Sequence, residues 1–524
     1  MKTILRKLTI IVFCILLFYS PVFKLDLKSQ ELSNNDYTLL KVCEGIIQLF
    51  EQYPDSIWPG YDLSQRPFMV YMPGRYALLF NYPKEVDGFY PYPADWPDLG
   101  TKVQFYPGQY KDLAGQLAFE LSIDSVKVAA VPFMEKLAVD LFGFIVHENF
   151  HQFQFRAFGE IPWEREERYP IEDKENTALA YLEMRLLMDA LNSAYVNNRE
   201  QTDEYLRQFV AVRNYRWQKS DPFIARYEQG EEINEGTAKY VEIKGTALMR
   251  QLKYKSWLSG LTTPLSEDFS SISMPGYLLE DFQKRITGNS VSPEDVPRNR
   301  IYPVGFAQGF LLDYIPIDWK NRAQEAGEKF TFAKLFKEYL GVNEGEYDSL
   351  LMKAKEHYSY ENVLASTDSL ILEYLEGYEK ELGAFEAHSG YRVEIDLSSK
   401  NLRRSRSSSA RKWIVDKGTR EFRNHYNIYD LENQELLLQV HDTGLLEEND
   451  WDRRKKKVVF FIPEITSLLL DGKSVKLKKD TQYRFQNIEM LGDNLKLSYS
   501  REGKITLSDH RVWIDLMPES ILER

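Results

Sequence analysis

Between Trp58 and Val131 apolar and polar positions alternate in short runs, PFMVYM, RYALLFNYP, KVQFY and LAFELSIDSVKVAAV, punctuated by Gly and Pro. Runs of this length predict the strands of a small sheet. Pro132 then suits a helix's first turn and Gly159 its stop, so the stretch from Phe133 to Phe158 reads as one long helix. Its middle, LAVDLFGFIV, is apolar nearly all round, which predicts a buried helix. To about residue 385 helical spacing dominates, in ENTALAYLEMRLLMDAL, EYLRQFVAVRNYRW, INEGTAKYVEIKGTALM, GFAQGFLLDYI and STDSLILEYLEGYEKELGAF. From Gly390 the texture returns to short alternating runs, among them YRVEIDL, ELLLQVHD, KVVFFIP, YRFQNIEML, NLKLSYS, KITLSD and RVWIDL, with turn signals at 471–472 and 492–493. The chain therefore reads as α+β. Residues 31–385 form a small N-terminal sheet followed by a mostly helical bundle, and 386–524 a C-terminal all-β sandwich or barrel domain.

Composition narrows the class. A hydrophobic fraction of 43% and an aromatic fraction of 14% in 524 residues describe a folded protein of two or three units rather than a disordered one. The net charge of -13 argues against a nucleic-acid partner, which would need clustered positive charge. Two basic runs, RRSRSSSARK at 403–412 and DRRKKK at 452–457, read as solvated loops or hairpin edges. At the N-terminus Lys2, Arg6 and Lys7 precede an apolar run from Leu8 to Phe23, the order of an export signal. No small-x-small cleavage site follows, so residues 1–30 read as a signal peptide or an uncleaved anchor, the chain's one expected contact with a membrane. Export places the protein in the periplasm, on the cell surface or outside the cell. Past the signal only Cys43 remains, so the folded part forms no internal disulfide.

The chemistry concentrates in HENFH at 147–151. His147 and His151 stand at i and i+4, so on a helix both rings project from one face and reach a single zinc ion. Glu148 is placed to accept a proton from water beside the metal. A hydrolytic zinc site needs a third protein ligand, and two glutamates compete: Glu175 in ENTALAYLE and Glu235 in NEGTAKYVE. Both open a Glu-x-x-Ala pattern, whose small residue lets two helices approach closely. Glu242 and Asn234 are candidates to orient the ligands from behind. His357, His388, His425, His441 and His510 show no ligand-like spacing with one another.

HENFH, then INEGTAKYVE, then YPVGFAQGFLLDYI from Tyr302, resembles the gluzincin group of zinc metallopeptidases, distantly the zinc aminopeptidase family with its HExxH, WLNEGFA and YxKG segments in that order. The layout also resembles a subgroup of exported bacterial proteins in which HE-x-FH-x-x-Q and EG-x-A-x-Y recur together. The resemblance implies a zincin-like domain, Zn2+ held by His147, His151 and Glu235, Glu148 as general base, Tyr302 stabilising the transition state, and a peptide or protein substrate. It covers three short segments between 147 and about 315, and the chain departs from the pattern. Its third ligand comes much later, Val304 replaces the lysine of YxKG, and no GxMEN segment precedes the helix, which leaves aminopeptidase specificity without support. The alternative function is a catalytically silent surface protein that binds glycan or peptide on its β domain through Trp413, Trp451, Tyr483 and Trp513.

Overall fold

The computed structural model describes residues 31–111, 113, 115–159, 164–253, 292–398, 403–407, 411–416, 418–423, 428–450 and 456–516. The expected export signal, residues 1–30, and Trp451 lie outside them. No helix among the described residues is long and apolar enough to cross a membrane.

One compact unit comprises Met1–Phe153 with Val241–Ile272. It opens with helix α1 (Asn34–Gln52), which begins where the Ser33 hydroxyl accepts from the Asp36 amide and the Asp36 carboxylate takes the Ser33 amide in return. The pattern of hydrophobic positions assigned nothing here, although that capping box and the buried Leu39, Val42, Ile46 and Phe50 spell an amphipathic helix. Six strands follow, β1 (Phe68–Met72), β2 (Tyr76–Phe80), β3 (Tyr90–Pro91), β4 (Val103–Pro107), β5 (Ala118–Ile123) and β6 (Val126–Pro132), in the sheet order β3-β4-β2-β1-β6-β5. Every residue of β1 and β2 is buried, so these central strands read as continuous apolar runs. β5 stands at the sheet's end.

Helix α2 (Ala138–Ala157) carries HENFH and is shorter than expected. Pro132 closes β6 instead of opening the helix. It lies opposite Tyr71 in the parallel β1–β6 pairing, and the Phe133 amide extends that ladder to the Tyr71 carbonyl at 2.8 Å. Gly159 does end the helical stretch, with a φ of +75° that a side chain would resist.

The second unit comprises Gln154–Tyr240 with Ser273–Arg524. The helices among the described residues after α2 are α3 (Lys174–Tyr195), α4 (Arg199–Lys219), α5 (Pro222–Glu231), a π-helical turn (Glu232–Gly236) leading into α6 (Thr237–Met249), α7 (Ile301–Tyr314), α8 (Trp319–Ala326), α9 (Phe332–Leu340), α10 (Tyr347–His357) and α11 (Tyr360–Glu386). From β7 (Tyr391–Asp396) to β21 (Arg511–Leu516) the regular elements among the described residues are all strands, arranged as an eight-stranded and a seven-stranded sheet. One core containing Val393, Phe460 and Ile514 of the first sheet and Leu438, Met490 and Leu497 of the second lies between them. YRFQNIEML is not one strand. Thr481–Phe485 belongs to the larger sheet and Ile488–Gly492 to the smaller, and the crossing at Gln486 and Asn487 is held by Asp471, whose Oδ1 accepts both amides at 2.7 and 2.8 Å. The basic runs are paired where described: Lys412 with Glu166 at 2.7 Å, Lys456 with Glu447 at 3.2 Å and Lys457 with Glu448 at 2.7 Å.

Candidate metal centre

On α2 one helical turn separates His147 from His151, and their rings stand edge to face with centroids 4.9 Å apart, both buried. Glu148 is buried as well. The helix is fixed in place by apolar packing: Phe150 meets the edges of Trp58 and Tyr61, and the Tyr61 hydroxyl donates to the Val146 carbonyl at 2.8 Å.

Glu242 supplies what an imidazole ligand needs from behind. Its Oε2 lies 3.1 Å from His147 Nδ1, which places the proton on Nδ1 and turns the Nε2 lone pair outward for a metal. Gly143, one turn before His147, makes room for this pair, because a Cβ there would come within 2.9 Å of Glu242 Cγ. Glu242→Ala is expected to weaken metal binding about 10- to 100-fold, the usual loss when such a partner is removed; competition with a chelator measures it, and unchanged affinity would count against the arrangement.

Glu235 reaches the site because its helix is distorted. The π turn over Glu232–Gly236 inserts residues into the regular ladder, a feature frequent at functional sites. Gln154 ties the turn down, its Nε2 lying 3.0 Å from the Ile233 oxygen, 2.7 Å from the Asn234 oxygen and 2.7 Å from Thr237 Oγ1. On its other side Gly236 meets Gly305 of α7 backbone to backbone. A Cβ on Gly236 would lie 2.7 Å from Gly305 Cα, and one on Gly305 2.3 Å from Gly236 Cα. NEGTA and YPVGFA are thus two faces of one close helix crossing.

Donor atoms of His147, His151 and Glu235 all lie within 4.8 Å of one another, and the three residues are buried. This group can hold a metal ion, and two imidazoles with a carboxylate form a donor set of the kind found in hydrolytic centres. Glu175, the competing candidate, is exposed at the start of α3 and accepts from the Tyr215 hydroxyl at 3.2 Å. Asn234 takes part through its backbone carbonyl in the Gln154 clamp.

The Tyr302 hydroxyl is hydrogen-bonded to the Glu235 carboxylate, and Arg298, which no motif of the sequence marks, joins the two. Arg298 Nη2 donates to Glu235 Oε1 at 2.8 Å and to the Tyr302 hydroxyl at 3.1 Å, while Nη1 reaches Glu231 at 3.3 Å. Burial, then the Glu235 carboxylate, pushes the Tyr302 hydroxyl well above its ordinary range, so it stays protonated at neutral pH. Burial also raises the Glu231 carboxyl to about 7 against the opposing pull of Arg298. The signal that could have found Arg298 is its spacing, one turn before Tyr302; Gln154 likewise follows His151 by three positions.

Behind the π turn lies a buried ion network. Glu183, Arg213, Arg216, Glu228, Glu232 and Arg300 are all nearly or wholly excluded from solvent, three cations against three anions. Glu183 takes Arg216 Nε at 2.7 Å and Arg213 Nη2 at 2.8 Å, Glu228 takes Arg216 and Arg300, and Arg213 Nη1 reaches Glu232 at 2.9 Å. Glu232 also accepts from Gln308 of α7 at 3.0 Å, so the network anchors the first residue of the turn that carries Glu235.

Of the aromatic residues of the alternative binding face, the three described differ in exposure. Trp413 is buried, its indole N–H donating to Glu381 at 2.7 Å; Tyr483 is half-buried, and Trp513 is exposed. His441 pairs with Asp430 at 2.7 Å, away from the centre in sequence. Comparisons of the chain with protein families, curated proteins and solved structures find no match.

Proposed function

We propose that the chain is an exported, zinc-dependent, gluzincin-like peptidase in which His147, His151 and Glu235 hold the metal, Glu148 is the general base and Tyr302 an oxyanion donor. The observation that carries this reading is the meeting of the three donor groups within 4.8 Å, with a buried glutamate directly after the first histidine. When bound, zinc supplies Lewis acidity, making water acidic near neutral pH and polarising a carbonyl. Glu148 takes a proton from water on its carboxylate and returns it to the leaving amine. The protonated Tyr302 hydroxyl donates a hydrogen bond to developing negative charge, a kind of contact that contributes heavily to acyl-transfer catalysis. Arg298 holds both Tyr302 and Glu235, so it orients rather than reacts.

A peptide is the favoured substrate because β5 is an edge strand beside the histidine helix. Phe119 of β5 is 45% exposed, its ring meets His151 at 5.8 Å, and its carbonyl accepts from the Gln152 side chain. An extended peptide can add to such an edge through main-chain hydrogen bonds. Assay of the purified chain against a mixed peptide library tests the reading: cleavage is expected with zinc, lost on chelation and restored by zinc. Absence of turnover under zinc-replete conditions would remove it.

A further inference from the structure

A cavity of about 400 Å³ lies beside Glu235, reached through Arg298, which lines it and holds that carboxylate. Tyr227 and Arg165 also line it. Tyr227 is 1% exposed, its ring stacked on Phe223, and Glu231, Glu166 and Arg298 line the same space. That hydroxyl has no hydrogen-bond partner among the described residues. Nor has the buried Nη1 of Arg165, whose guanidinium has no carboxylate partner among the described residues either.

The wall carries four carboxylates too, and all of them lie in ion pairs, shared among three cations. Lys412 pairs with Glu166 and Glu167, Arg226 with Glu164, and Arg298 with Glu231. The buried lining groups without a hydrogen-bond partner among the described residues are therefore both donors, the Tyr227 hydroxyl and the cationic Arg165 Nη1. Buried donors without acceptors are costly unless a ligand satisfies them, and an arginine with a hydroxyl suits a carboxylate.

We propose that this cavity is a substrate subsite for a peptide carboxylate, either the C-terminal one or that of an Asp or Glu side chain, with Arg165 and Tyr227 as its donors. The assignment rests on the peptidase reading for its place in a reaction, and binding can be measured apart from turnover. The probe is a fluorescent hexapeptide in four forms, with a central Glu or Gln and a free or amidated C-terminus, titrated into the full-length, zinc-loaded Glu148→Gln chain.

At least one carboxylate-bearing form is expected to bind about 10-fold more tightly than the uncharged form, and which one does so identifies the source of the carboxylate. Arg165→Gln, at a partly exposed position without an ion pair among the described residues, is expected to abolish that preference, and Tyr227→Phe to reduce it about threefold. Equal binding of all four forms, no binding of any, or a preference that survives Arg165→Gln would overturn the subsite. Incubating the same peptides with the wild-type chain separates the two claims. Carboxylate-dependent binding without cleavage keeps the subsite and removes the peptidase, while cleavage without carboxylate preference does the reverse.

Discussion

Glu148→Gln is expected to leave zinc binding intact and lower peptide hydrolysis by about 10²- to 10⁴-fold, the range for loss of a positioned general base. The amide has the size and shape of the carboxylate, so this buried position keeps its packing. It cannot accept a proton at neutral pH, and the missing step shows in kcat rather than in metal content. A His147→Ala, His151→Ala double variant is expected to lose metal and turnover together. Parallel measurement of zinc stoichiometry and kcat/KM on both proteins distinguishes the roles. Undiminished hydrolysis by metal-replete Glu148→Gln protein would show that the base is another group.

The second large effect is on stability. Glu183→Ala is expected to destabilise the protein by about 3–5 kcal/mol, because it leaves Arg213 and Arg216 buried with part of their compensation gone. Urea or guanidinium unfolding measures the loss, and a change under about 1 kcal/mol would mean that the pocket readily admits water. Acid should act on the same network. Burial alone would raise the Glu183 and Glu228 carboxyls, but the arginines overcome it and hold both below the ordinary range. Carboxyls depressed in the folded state contribute stability above their unfolded pKa, near 4.3, and lose it as pH falls toward the folded values. Wild-type stability should therefore drop with acidification below about pH 4.5, and Glu183→Ala should flatten that dependence.

The histidine pair was legible in the sequence because its chemistry depends on one local spacing, i and i+4, that any helix preserves. Glu235 and Glu242 could be named as candidates but not placed, since the π turn that displaces Glu235 leaves no mark in a 3.6-residue pattern. It becomes visible only with Gln154 bonding the carbonyls of the turn and Gly236 lying against Gly305. Pro132 was misread for a reason of the same kind. A proline that suits a helix's first turn suits equally the last position of a strand, and the partner strand decides. The arginine–glutamate network was invisible because RQFVAVRNYRW scatters charges as a solvated helix face does, and only the tertiary fold buries them together. The switch from helices to strands after Glu386 was plain from the change of period.

The central claim is that His147, His151 and Glu235 hold one zinc ion. Anomalous scattering recorded on either side of the zinc edge from crystals of the zinc-loaded protein tests it most directly. A single strong peak within bonding distance of both imidazoles and the Glu235 carboxylate is the result predicted. No peak there, or a peak bound to Glu175 in place of Glu235, would contradict it.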